Sequence, residues 1–344
     1  VKSREDPLKE RKDLRVLLKR MPRSIIQVND LFESDVEIVR NSPTQWFVSS
    51  IDSISDEISN GLYKDPQTWG WMTVMSSVSD LAASGCAPLG LLLSTQWALK
   101  TSKKTQAEFF KGAADALRAC GVSLLGGDSG FATNHVFTSS ISGQSSAPPL
   151  TRLGVRPGDF LILIGNGSLG AGPSLSLSFL NLQPSVRFSE RNFRPNPQPT
   201  LSGLLRRFAS ASIDTSDGLA TSVAILSELN GVGFELFWQT ENLNSKAVSF
   251  CNKSGLPLPL LWMNDLGDLQ TLFCVPEKNL KKLRSVTHDF SIIGRAHRGR
   301  KITMVLGAQK TELPMAQTLL ARRDLNSIRR LNLDLVRHFK KLGF

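Results

Sequence analysis

The chain has 344 residues, 41% of them hydrophobic, and a net charge of +11 from 41 Lys and Arg against 30 Asp and Glu. This predicts a soluble globular protein of two ordinary domains, and no apolar stretch approaches the roughly 18 residues a membrane span needs. The basic excess sits in residues 1–23 and 321–344, with no aromatic interleaving and no zinc-type spacing, which reads as solvated helix faces and against a nucleic-acid module.

In chain order, residues 1–23 read as an amphipathic basic helix, with Leu14, Leu17 and Leu18 as its stripe. A strand-like piece over 24–28 runs into Asn29-Asp30. Paired strands follow over 36–39 and 45–51, the second ending at Asp52, and then a polar loop over 53–65. Residues 70–90, GWMTVMSSVSDLAASGCAPLG, form a run of apolar and small residues around one carboxylate. If one helix spans the run, Asp80 must face a cation or a polar cleft, because an unpaired buried charge is costly. If the helix breaks at Ser79, Asp80 is instead an N-cap. A strand over 91–97, a helix over 105–120, an apolar run over 122–125 halted by Gly126-Gly127-Asp128 and a strand over 135–142 complete the first half.

A small-residue and proline cluster over 143–149 marks a domain boundary. Beyond it come a turn at Arg156-Pro157-Gly158-Asp159, a buried strand over 160–164 and a glycine-rich loop over 165–170 leading into a helix. The segment 184–199 is irregular, Ser212–Leu219 opens a helix to about Asn230, and strands are expected over 232–238, 272–275 and 302–305. Strands and helices mix without strict alternation, which predicts two α+β domains. The assignments are a basic helix over 1–23, domains over 24–148 and 149–310, and a basic tail over 311–344. Cys86, Cys120, Cys251 and Cys274 show no CxxC spacing, and the N-terminal stretch has no apolar signal core. Reduced thiols in the cytoplasm are expected.

Asp30, Asp52, Asp80, Asp128, Asp214 and Asp217 each end an apolar or small-residue run beside Ser, Thr, Asn or Gly. Carboxylates gathered in one cleft repel unless cations neutralise them. Oxygen ligands without His or Cys suit Mg²⁺, which bridges carboxylates to substrate phosphates. Taken singly, each of these residues also suits a turn or cap. The 165–170 loop follows a strand and precedes a helix, as anion cradles do, but lacks the GK[ST] ending of a P-loop and equally suits a tight turn.

The motifs SSIDSI, SDLAASGCAPLG, LLGGDSG, RLGVRPGDFLILIGNGSLG and IDTSDGLA, in that order, resemble thiamine-monophosphate kinase, of the aminoimidazole ribonucleotide synthetase superfamily, over residues 25–299. The resemblance implies a two-domain, PurM-like α+β fold. Its N-terminal domain would form a homodimer through its sheet, its C-terminal domain would be α/β, and ATP with several Mg²⁺ would lie in the cleft between them. Carried over, Asp30, Ser50, Asp52, Asp80, Asp128, Asp214 and Asp217 match metal ligands. Gly126, Gly127, Asp128, Arg152 and Ser216 match phosphate contacts. Asp80, Asp217 and Arg152 would then carry the chemistry.

Departures fall on the acceptor side. The family's Gly-x-His-Phe lies on Glu57-Ile58-Ser59-Asn60, so Ser59 replaces the substrate histidine. Its acidic GGEDYEL motif lies on residues 265–271, where Gly267 takes an acid's place and only Asp268 is kept. Asn29 and Ser222 replace two further acids. The reading is a Mg²⁺-dependent ATP phosphotransferase of the thiamine-monophosphate kinase type, passing a phosphoryl group to thiamine phosphate, with a diverged acceptor site. The alternatives are a paralogue with another acceptor and a silent nucleotide-binding protein. Thiamine monophosphate is expected to be a poor acceptor.

Overall fold

The structure, a computed structural model, describes residue 16 and residues 18–164, 169–313 and 325–344. Most of the expected N-terminal helix, most of the 165–170 loop and part of the basic tail lie outside the described residues. Two sheets organise the chain. In the first half come β1 (Glu37–Ser42), β2 (Gln45–Ser53), α1 (Ser55–Ser59), α2 (Pro66–Ser84), β3 (Ala87–Ala98), α3 (Lys103–Cys120), β4 (Leu124–Ala132) and β5 (Val136–Ser145). The strands form a five-stranded sheet in the order β1-β2-β5-β3-β4. All pairs are antiparallel except β3 with β4, which need the α3 crossover to run parallel.

The second half supplies β6 (Phe160–Ile164), α4 (Ala171–Phe179), α5 (Pro199–Leu205), β7 (Ala211–Asp214), α6 (Leu219–Asn230), β8 (Gly233–Phe237), α7 (Ser245–Ser254) and α8 (Leu260–Met263). It continues with β9 (Thr271–Val275), α9 (Glu277–Arg284), β10 (Phe290–His297), β11 (Ile302–Leu306), β12 (Gln309–Glu312) and α10 (Leu325–Lys341). Seven strands form a mixed sheet, β12-β11-β8-β10-β6-β9-β7.

Helix α2 is the axis of the molecule. Asp65 caps its start by accepting from the Gln67 N–H at 3.2 Å, Pro66 supplies its first turn, and left-handed Gly85 ends it. It is buried on nearly every side, which explains its uniformly small and apolar sequence. One side packs on the inner face of the first sheet, where Val48, Leu91, Leu93, Trp97, Phe137 and Ile141 are buried. Another side meets β7 of the second sheet. Ser212 donates to the Ala83 carbonyl and the Leu150 N–H to the Ser84 carbonyl at 3.0 Å, so the last turn of α2 is stitched to the second domain.

Several local expectations change. The 53–65 loop contains the short helix α1. The 24–28 piece is a turn that touches β1 through a single bridge, Gln27 to Val39. The glycines after Leu125 do not stop the chain: β4 runs through Gly126-Gly127-Asp128, because an edge strand tolerates residues without side chains to pack.

Candidate functional site

Asp80 lies inside unbroken α2, four residues before its end at Ser84, so the N-cap alternative is excluded. Its carboxylate meets those of Asp35, on the loop before β1, and Asp214, at the end of β7. One oxygen from each lies within 4.8 Å of the others. Asp35 was not singled out from the sequence, although Ser34 and the apolar run starting at Val36 give it the same local grammar as the others, read at the start of a run instead of its end.

The residues around these acids donate. Arg152, on the connection between the domains, gives Nη2 and Nε to Asp35 Oδ1 at 2.7 and 3.3 Å. It is anchored in turn by Nη1 to the Phe32 carbonyl at 3.4 Å. Ser50 donates to Asp80 Oδ2. Ser216 donates to Asp214 Oδ1 from Oγ at 2.9 Å and from its N–H at 3.3 Å. Ser79, one residue before Asp80, donates across the domain boundary to Asp214 Oδ2 at 2.7 Å. The same hydroxyl also lies 2.8 Å from the Ser76 carbonyl. One hydroxyl hydrogen cannot satisfy two acceptors fully, so the bond from Ser79 to Asp214 is a shared one.

Three carboxylates against one guanidinium leave an excess of negative charge. At separations near 4.8 Å and an effective dielectric of about 20, each like pair repels by roughly 3.5 kcal/mol. Burial, then Asp214 and Asp35, raises the Asp80 carboxyl well above its usual range. Burial, then Asp35, pushes Asp214 up to about 7. Burial pulls the Arg152 guanidinium down, but Asp35 beside it outweighs this and holds it above its ordinary value. An all-oxygen donor set that is partly buried and over-charged fits a hard divalent cation such as Mg²⁺.

The other sequence candidates lie in different settings. Ser50 and Asp52 sit on the inner face of β2 and point toward α2. Ser76 donates to Asp52, whose carboxyl burial raises. Asp128 does not join them. The cross-strand row Asp52–Ser139–Leu93–Gly127 faces inward, whereas Ser53–Thr138–Ser94–Asp128 faces outward. One step of a strand reverses the side-chain direction, so Asp128 and its neighbour Gly126 belong to the open face. Asp30 is half exposed and ion-paired with Arg23 at 3.1 Å. Asp217 is exposed on the turn after β7, beside Ser216.

The acceptor-side candidates are also redistributed. Ser59 is exposed, and Glu57 is the residue of that segment turned inward, with Oε2 buried and without a hydrogen-bond partner. Burial raises the Glu57 carboxyl. Gly267 is a close-approach residue: a Cβ there would stand 1.4 Å from the Thr215 carbonyl. Its segment extends the β7–β9 ladder, with Thr215 N–H to the Gln270 carbonyl at 2.8 Å and Gly267 N–H to the Ser216 carbonyl at 2.9 Å. It therefore holds the Asp214–Gly218 turn in place. Asp268 turns away from that turn. It accepts from the N–H groups of Gly170 at 2.6 Å and Gly172 at 2.7 Å, and from Ala171, at the start of α4. The N–H groups at the start of α4, which one of the two readings of the 165–170 loop offered to an anion, are thus taken by the chain's own carboxylate. Ser222 donates to the Asp214 and Gly218 carbonyls at 2.7 and 3.0 Å, a backbone brace where the family carries an acid.

Residues 33–144 match the model of the AIR synthase related protein, N-terminal domain. The thiamine-monophosphate kinase of Methanospirillum hungatei is 28% identical over 239 residues, 68% of this chain and 76% of that protein. Among solved structures, AaThiL complexed with AMPPCP and TMP superposes with a TM-score of 0.68 at 20% identity, covering 88% of this chain and 94% of that one. The HypE–HypF complex has a chain with the same TM-score at 17% identity, covering 88% and 98%. At these identities the superpositions establish the fold, and HypE shares it with the kinases. The chain is thus similar to thiamine-monophosphate kinases and shares their two-domain fold, and its residues 33–144 match the AIR synthase related N-terminal domain.

Proposed function

We propose that the chain is an ATP- and Mg²⁺-dependent phosphotransferase that passes the γ-phosphoryl group of ATP to the phosphate of a small acceptor. The observation that carries this reading is the Asp35–Asp80–Asp214 cluster, built from both domains and short of positive charge. Similarity to thiamine-monophosphate kinases, and the AMPPCP and TMP bound to AaThiL, supply the reaction class. An oxygen of the acceptor phosphate attacks the γ-phosphorus. The bond from that phosphorus to the β–γ bridging oxygen breaks, and ADP leaves with the electron pair. Mg²⁺ held by the three aspartates would neutralise them and the phosphate charge. Arg152, fixed by Asp35, adds positive charge at the same place, and the backbone braces on 214–218 keep Asp214 aimed at Asp80. Such catalysis rests on alignment and charge and needs no covalent enzyme intermediate.

The acceptor differs from thiamine monophosphate on this reading. Ser59 is exposed, Glu57 is turned inward beside Asp52, and Asp268 is committed to helix α4. A lost hydrogen bond to a charged group costs about 1.5–3 kcal/mol, or roughly 10- to 150-fold. Steady-state kinetics with thiamine monophosphate should therefore give kcat/KM far below the common enzyme range of about 10⁴ M⁻¹s⁻¹ and above. A value within that range would restore thiamine monophosphate as the acceptor. Absence of any ATP turnover across a panel of phosphate acceptors would defeat the reading as a whole.

We also propose a homodimer through the open face of the first sheet. Ile51, Leu92 and Val136 project from that face and are 72%, 48% and 40% exposed. Asp128, on the same face, would then serve across the interface instead of toward its own chain's Asp80. Sedimentation equilibrium should give twice the chain mass, and Leu92→Glu should return the chain to the monomer. All four cysteines are buried and unpaired, which suits a reducing, cytoplasmic compartment. No described helix is long and apolar enough to cross a membrane.

A further inference from the structure

A cleft of about 760 Å³ opens beyond the C-terminal end of α2, on the seam between the two domains. Gln45, Gln144 and Ser145 of the first sheet form one wall, and Thr200, Gly203 and Arg206 from α5 and the turn after it form the other. Among the described residues no carboxylate lines it. Arg206 is its one charged group and is held in an unusual way. Its Nη1 donates to the Ala147 and Pro148 carbonyls at 2.9 and 3.0 Å, which uses both hydrogens of that nitrogen. Its Nε is buried without an acceptor, and it makes no ion pair among the described residues. A guanidinium fixed by two neutral carbonyls keeps its full charge beside a cleft of ligand size whose walls offer hydroxyl and amide groups.

We propose that this cleft binds a small molecule through an oxyanion, phosphate or carboxylate, with Arg206 as the charged anchor. Nothing in the inference depends on the phosphotransferase reading, because the cleft shares no residue with the acid cluster. An arginine that merely clamps the 147–148 connection would give the same carbonyl contacts, so the test must read ligand binding. Inorganic phosphate is titrated calorimetrically into the full chain in EDTA, where the metal-free acid cluster repels anions. Citrate in a parallel titration separates a carboxylate ligand from a phosphate one.

One saturable site per chain is expected for at least one of the two anions. Arg206→Gln should weaken it at least tenfold. Gly203→Leu keeps Arg206 and fills the cleft, and it should do the same; a Cβ at Gly203 has only the Gly85 carbonyl oxygen within 4 Å, at 3.8 Å, so the helix accepts the side chain. If Arg206→Gln fails to fold, Gly203→Leu alone decides. Saturable binding lost in Gly203→Leu supports the site. No saturable binding of either anion, or binding unchanged by Gly203→Leu, overturns it.

Discussion

Two of the places where this molecule buries carboxylates solve the problem in opposite ways. At the start of α4, Asp268 is one acid facing three backbone N–H donors. Between α2 and β7, three acids share one guanidinium and a few serine hydroxyls, one of which is already divided between two acceptors. Both environments raise pKa values through burial, and Asp268, like Asp214, is pushed up to about 7. What differs is the supply of donors. The first site is complete within the chain, and the second, on the proposal above, would be completed by a cation. A buried acid with its donors in place is a structural element, whereas buried acids that outnumber their donors mark a binding site.

The largest expected effect falls on the incomplete site. Asp80→Asn should lower ATP turnover by roughly 10²–10³-fold, the usual cost of losing one electrostatic group from a reaction centre. In metal-free buffer it should melt no lower than wild type, because one of three repelling charges is gone. A large loss of melting temperature would instead make Asp80 a structural acid. Asp268→Ala should behave the other way round. It leaves the Gly170, Ala171 and Gly172 N–H groups without their acceptor, at about 1–3 kcal/mol for each buried orphan. Denaturant melts should show a loss of roughly 3 kcal/mol or more.

The pH dependence of stability sharpens the contrast. Asp80, Asp214 and Asp268 all have raised carboxyl pKa values when folded, against about 4 in the unfolded chain. Between pH 4 and about 7 the folded state therefore holds more protons, and stability should fall as pH rises through that window. Mg²⁺ should flatten the share due to Asp80 and Asp214 and leave that of Asp268, which Asp268→Asn should remove. Melting curves at pH 5 and 7.5, with and without Mg²⁺, check this. A pH slope indifferent to Mg²⁺ would mean that both sites are closed. The smallest effect is Ser79→Ala, about 1 kcal/mol for one hydrogen bond. Its mark should be a weaker apparent Mg²⁺ affinity that Ser79→Thr restores.

Much of this was legible in the sequence. The strand over Phe160–Ile164 and a helix through Asp80 follow from run lengths and glycine stops, whereas the approach of Asp214 to Asp80 was implied only by the family resemblance. The direction of Asp128 was not, because β4 continues through glycines that read as a stop, and the parity of a strand appears only once its register is known. Asp35 was missed because it begins its apolar run. The role of Asp268 depends on contacts to residues nearly a hundred positions away, which no local pattern encodes. The helices α7 and α9 were not anticipated, because their apolar stripes are short or lie among basic residues.

The central claim is that the Asp35–Asp80–Asp214 site is completed by a divalent cation. Calorimetric titration of Mg²⁺ in the presence of AMPPCP, at pH 6.5 in two buffers of different ionisation heat, tests it most directly. Coordination requires deprotonated carboxylates, so binding to acids with raised pKa values should release protons, and the apparent heat should differ between buffers. The account predicts saturable binding with net proton release that Asp80→Asn abolishes. Nucleotide binding that needs no Mg²⁺, or Mg²⁺ binding without proton release and untouched by Asp80→Asn, would contradict it.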